Sequence, residues 1–208
     1  MNILVFGAGA IGTYLGGSLL WKGHRITFLE RPQAAKILGE RGIRLDRTLA
    51  RHDILTFPPS SFQITTSLQE ALERSTYDLA IFALKSFDTP AAVETMRPLA
   101  TAMPPLLCLS NGVENEAMLA EALGEKVVPG TVTSAVLRLE VGNVKLEKRR
   151  GIGLASLHPA AGQWFEAFKE AALRPRLYAD AASMKWSKLL TNLVANATSA
   201  ILDMSPAA

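Results

Sequence analysis

NILVFGAGAIG, residues 2–12, joins an apolar run to a glycine-rich turn, and its reading decides the fold. Asn2 to Phe6 is short and apolar with β-branched and aromatic members, which predicts a strand buried on both faces. Ala10 to Trp21 then reads as a helix stopped by Gly23-His24, and Arg25 to Leu29 (RITFL) as a second strand. Pro32 opens another helix that runs through Leu38. Strand, helix and strand within about thirty residues make a βαβ unit. In that setting Gly7-Ala8-Gly9-Ala10-Ile11-Gly12 is GxGxxG placed between a strand and the helix it opens. Gly7 permits the tight turn, Gly9 a close approach of backbone to a pyrophosphate, and Gly12 close packing of helix on strand. Backbone N–H groups and the helix dipole then favour an anion at this loop.

The rest of the chain continues the alternation. Ser67 caps a predicted helix through Arg74, with Glu70 completing a capping box. Leu79 to Leu84 and Leu106 to Leu109 read as strands, and Pro90 to Ala102 and Glu114 to Leu123 as helices. After residue 125 strands crowd together: Val127-Val128, Thr131 to Leu139, Val144 to Leu146 and Ile152 to Leu157, with a hairpin turn at Val141-Gly142-Asn143. Gly162 to Ala172 is a helix, and Ala179 to Met204 one long helical segment. The expected fold is therefore α/β: a doubly wound, mostly parallel Rossmann-type sheet with an added β-rich edge. The last helix falls outside the sheet pattern and reads as the start of a second, helical unit.

Composition narrows the function classes. Net charge is +3 with Lys and Arg scattered, so no basic stripe points to nucleic acid. One cysteine, Cys108, excludes an internal disulfide framework and fits a reducing, cytoplasmic setting; inside PPLLCLS it reads as a small buried hydrophobe. His24, His52 and His158 lie far apart and suggest no metal site. The N-terminus lacks a basic region before its apolar run, and no apolar stretch reaches the ~20 residues of a membrane span.

Ligands of open α/β sheets sit beyond the carboxyl ends of the strands. Glu30-Arg31 ends the second strand, and there a carboxylate would suit the ribose 2′-OH of NAD, an arginine the 2′-phosphate of NADP. The pattern alone leaves that choice open. Lys85-Ser86, Ser110-Asn111-Gly112 and Thr131 to Ser134 also follow strands. Lys85 can equally be a solvent-reaching lysine, and Asn111-Gly112 a simple turn.

In KWSKLLTNLVAN, residues 185–196, Lys188, Asn192 and Asn196 recur every four residues, and with Ser199 they make a polar stripe. The stripe borders an apolar face of Trp186, Leu189, Leu190, Leu193, Val194, Ala197 and Ile201. Asparagine is a poor helix former, at roughly 0.5 kcal/mol or more below alanine, so its repetition suggests a face that contacts a ligand.

Several separated segments resemble one family, the ketopantoate reductases: NILVFGAGAIG, the ERP after the second strand, FALKSFDT, LSNGVEN, PGTVTSAV and KWSKLLTNLVANATSAI, in the family's order. The resemblance implies an N-terminal Rossmann-type domain, a C-terminal all-helical domain, and reduction of 2-dehydropantoate to (R)-pantoate with NADPH on the way to coenzyme A. It implies that Arg31 holds the 2′-phosphate and that Lys85 and Asn111 lie near cofactor and substrate. Lys188 would be the general acid, and Asn192 and Asn196 would bind the keto acid. Lys185 competes on the same helix, but Lys188 alone has the family's spacing to both asparagines.

Family members run to about 300 residues by the same resemblance, so the chain reads as residues 1–178 of nucleotide-binding domain plus 179–208 as the opening of an incomplete helical domain. Two further expectations follow: a dinucleotide-binding module without turnover is the alternative function, and the exposed apolar helix face suggests a homodimer.

Overall fold

A computed structural model describes residues 1–194 and 198–203. The strands are β1 (Asn2–Phe6), β2 (Arg25–Leu29), β3 (Ile43–Asp46), β4 (Ile54–Phe57), β5 (Gln63–Thr65), β6 (Leu79–Phe82), β7 (Leu106–Cys108), β8 (Val127–Val132), β9 (Ala135–Glu140), β10 (Asn143–Lys148), β11 (Ile152–Ala155) and β12 (Pro175–Tyr178). The helices are α1 (Ala10–Leu20), α2 (Pro32–Arg41), α3 (Thr48–Arg51), α4 (Leu68–Arg74), α5 (Thr89–Met96), α6 (Asn115–Leu123), α7 (Ala161–Glu170), α8 (Ala181–Asn192) and α9 (Thr198–Leu202).

Eight strands form the main sheet in the order β12-β11-β8-β7-β6-β1-β2-β5. All neighbours run parallel except β8 and β11, so β11 and β12 oppose the rest. β1 lies between β2 and β6 and is buried along its whole length, which is why NILVF shows no alternation of polarity. Successive side chains enter different cores, as the pleat requires. Ile3, Val5, Leu79 and Ile81 join Tyr14, Leu15, Trp164 and Phe168 on one face. Leu4, Phe6, Ala80 and Phe82 join Val93, Met96, Leu119 and Leu123 on the other. Helices thus cover both faces, and the doubly wound Rossmann-type architecture expected from the sequence is present.

Three local expectations change. The strands after residue 125 are not one added edge: β9 and β10 leave the main sheet and build a second sheet, β4-β3-β10-β9, in which β10 pairs in parallel with β3. The expected single strand Thr131 to Leu139 is correspondingly two, separated at Thr133-Ser134. The expected terminal helix Ala179 to Met204 is helical over Ala181–Asn192 and Thr198–Leu202, with residues 195–197 and Met204 lying outside the described residues. The capping box at Ser67 forms only by half. Ser67 Oγ accepts from the Glu70 N–H at 3.2 Å, while the Glu70 carboxylate takes the Thr65 hydroxyl at 2.9 Å.

Among the described residues no helix is long and apolar enough to cross a membrane. Cys108 is fully buried in β7. Burial, helped by the nearby Glu116 carboxylate, pushes its thiol up to about 12.

Candidate active site

The glycine loop has the geometry its spacing implies. Gly7 has φ +88°, in the left-handed region that favours glycine, and its N–H donates to the Leu29 carbonyl at 3.0 Å. A β-carbon on Gly12 would lie 1.8 Å from the Gly7 carbonyl oxygen, so the first turn of α1 passes directly over the loop. A β-carbon on Gly9 would meet nothing within 4 Å. The outer side of the loop is therefore open, and the N–H groups of the first helical turn lack intrahelical partners. Thr13 braces the loop from inside by donating its hydroxyl to the Ala8 carbonyl at 2.9 Å.

A cleft of about 600 Å³ opens at this point. Of the sequence candidates, Gly7, Ala8, Gly9, Ala10, Ile11, Arg31, Lys85 and Asn111 line it; Gly12 does not, being packed against Gly7. The residues present fit a dinucleotide: a loop open at Gly9, a helix N-terminus, and cations at Arg31 and Lys85. Glu30 is the exception. Its carboxylate accepts the Ala8 N–H and, at 3.0 Å, the Arg31 N–H, so it occupies one of the loop's own donors.

Sequence reasoning missed two charged residues of this cleft. Asp88 lines it and accepts from Arg31 Nη2 at 2.6 Å. Arg138 reaches it from β9, an element whose position depends on the second sheet. Local sequence carries no signal for Arg138. For Asp88 the signal was its place three residues after Lys85, in the turn that follows a strand.

The loops after β6 and β7 are tied together. Ser86 Oγ donates to the Asn111 carbonyl at 2.7 Å, Ser110 Oγ to the Leu84 carbonyl at 2.9 Å, and Asn115 Nδ2 to the Asn111 carbonyl at 2.8 Å. Thr89 in turn donates to Asn115 Oδ1 at 2.7 Å. This network holds the Asn111 backbone in place and leaves its side chain to the cleft.

Helix α8 brings its polar stripe to the same loop. Asn192 Nδ2 donates to Asn111 Oδ1 at 3.4 Å. One turn earlier, Lys188 is half-buried, and burial together with the charge of Arg150 lowers its ammonium below the ordinary lysine range. Lys185 sits differently: it is buried, forms an ion pair with Glu116 at 2.6 Å, and donates to the Ser110 carbonyl at 2.8 Å. Asn196, the third member of the stripe, lies outside the described residues. The apolar border is largely uncovered, with Trp186, Leu190, Leu193 and Val194 all at least half exposed.

Known proteins resemble this chain in sequence and fold. The family model described as ketopantoate reductase PanE/ApbA matches residues 3–158. A curated 2-dehydropantoate 2-reductase of Pyrococcus horikoshii is 28% identical over 209 residues, covering 98% of this chain and 65% of the relative. The structure of a PanE/ApbA family ketopantoate reductase from Ralstonia eutropha JMP134 matches with a TM-score of 0.83 at 27% identity, covering 98% of this chain and 65% of that one. D-mandelate dehydrogenase, solved with NADH and anilino(oxo)acetate, shares the fold with a TM-score of 0.83 at 22% identity, with the same coverage of 98% and 65%. The chain thus spans 65% of the length of these relatives.

Proposed function

The chain belongs to the ketopantoate reductase PanE/ApbA family, and on that premise we propose that its cleft takes NADPH and that its α8 stripe serves the reduction of 2-dehydropantoate, or a related 2-keto acid, to (R)-pantoate. The observation that carries this reading is the contact between Asn192 and Asn111. It puts the polar stripe of α8 against the loop that borders the glycine-lined cleft. Residues 1–178 serve as the nucleotide domain and α8 opens the substrate domain.

The chemistry asked of these residues is simple. Bound reduced nicotinamide would supply the hydride to the carbonyl carbon. Negative charge then grows on the carbonyl oxygen, where a cation both stabilises it and delivers the proton that completes the alcohol. Lys188 has that role, because Lys185 is already committed to Glu116. A lowered ammonium pKa makes Lys188 a better acid near neutral pH. Asn111 and Asn192 hold the keto acid through amide donors and acceptors, with Asn196 completing the stripe. Arg31 receives the 2′-phosphate, and Lys85 supports the nucleotide from the carboxyl end of β6, on the other side of β1.

One observation favours NADH as a second reading of the cofactor. Two carboxylates, Glu30 and Asp88, border the cleft beside Arg31, and either would repel a 2′-phosphate. Self-association through the exposed side chains of α8 belongs to the same proposal; sedimentation showing only monomer at high concentration would remove it.

Turnover of 2-dehydropantoate with NADPH tests the activity, and titration with NADPH and NADH tests the cofactor. NADPH binding without turnover would reduce the protein to a dinucleotide-binding module. Equal affinities for the two nucleotides, unchanged in Arg31→Ala, would take Arg31 out of its role.

A further inference from the structure

Asp88 closes the turn Ser86–Asp88 and stands immediately before α5. An aspartate in that place ordinarily accepts a bond from an N–H of the helix's first turn. Asp88 makes no such bond. Its Oδ1 instead accepts from Arg31 Nη2 at 2.6 Å, which links the loop after β6 to the end of β2. The aspartate side chain is mostly covered, at 22% exposure, whereas that of the arginine is 79% exposed. The carboxylate is therefore the fixed partner and the guanidinium the movable one. Glu30 is not equivalent, because its oxygens are engaged by the Ala8 and Arg31 backbone N–H groups.

A carboxylate at this distance offsets the charge of the guanidinium where a 2′-phosphate dianion would arrive, and it adds a like charge beside that dianion. A ribose 2′-hydroxyl meets neither penalty, since it is neutral and can donate to a carboxylate. We propose that Asp88 sets how strongly this cleft discriminates between NADPH and NADH, by holding Arg31 away from the 2′-phosphate. The proposal rests on the nucleotide-binding reading above and names the residue that decides the cofactor ratio within it. NADPH must displace the Arg31–Asp88 pair or share the guanidinium with it; NADH need do neither.

The test is a fluorescence titration of the full chain with NADPH and with NADH, for wild type, Asp88→Asn, Arg31→Ala and the double variant. Asparagine keeps the size of the side chain, and no helix-capping bond is lost with the charge. Asp88→Asn should tighten NADPH by about three- to tenfold at low salt, with NADH unchanged or weakened. The gain should shrink at roughly 0.5 M salt, where charges a few ångströms apart are screened. It should also vanish in the Arg31→Ala background, which isolates the route through Arg31 from direct repulsion. An unchanged NADPH affinity in Asp88→Asn overturns the proposal while leaving the nucleotide site standing. A gain that persists without Arg31 overturns it as well. If neither nucleotide binds any variant, the nucleotide-binding reading fails and this proposal with it. Should Asp88→Asn fail to fold, Asp88→Ser carries the same comparison.

Discussion

Gly12 passes so close to Gly7 that a β-carbon on the former would stand 1.8 Å from the carbonyl oxygen of the latter. The obstructing atom belongs to the backbone, so no rotamer change relieves it. Gly12→Ala must therefore displace the glycine loop or the first turn of α1, at about 2–4 kcal/mol of stability. Gly9→Ala, whose β-carbon meets nothing within 4 Å, should unfold like wild type in urea yet bind nucleotide more weakly. Equal stability of the two variants would show that the close approach has no energetic weight.

The two lysines of α8 should separate cleanly. Removing Lys185 leaves the Glu116 carboxylate charged and covered, so Lys185→Met should lower unfolding free energy by about 3 kcal/mol. Lys188→Ala breaks no ion pair among the described residues, and its melting temperature should stay near wild type while turnover falls by orders of magnitude. Retained turnover in Lys188→Ala removes it as the proton donor.

The pH profile follows from the lowered ammonium of Lys188. A general acid works only while protonated, so turnover should fall as pH rises through that lowered value. The loss should begin at a pH where an ordinary lysine, titrating near about 10.4, still holds its proton. Lys188→Arg, protonated at all these pH values, should abolish the alkaline fall in whatever activity it retains. A profile flat to the ordinary lysine range would exclude Lys188 as the titrating acid.

Cys108 should be chemically silent in the folded protein. Its thiol is raised to about 12 and fully buried, and the thiolate is the reactive form. Alkylation by iodoacetamide at pH 8 should be undetectable in buffer and complete in denaturant. Rapid labelling of the native chain would show that β7 opens readily.

Much of this fold was legible because the central strands are buried on both faces and read as uninterrupted apolar runs, as β1 and β6 do. The second sheet was not. Its core pairing joins β3 to β10 across nearly a hundred residues, and nothing local to Ile43–Asp46 or Asn143–Lys148 names the partner. β5 has three residues, too few for a period to show. β12 opens with Pro175, a residue that argues against a central strand but is tolerated here because β12 is the sheet's outer strand. The site divides in the same way. Arg31, Lys85 and Asn111 could be read from their places after apolar strands, whereas Arg138 enters from the second sheet.

The reversed direction of β11 and β12 settles where the last helix can go. A final strand aligned with the others would end near the cleft, and the helix after it would descend away from the ligand. Because β12 opposes the main sheet, it starts beyond the sheet's carboxyl ends and Tyr178, paired with Ala155, comes down to the level of Pro129 and Cys108, where a two-residue link (179–180) turns the chain back upward as α8. Each turn of that ascent delivers a side chain closer to the cleft, from Met184 packed against Gly153 to Asn192 touching Asn111. One change of strand polarity thus makes a single helix both a buttress for β8 and β11 and a neighbour of the loop at Asn111.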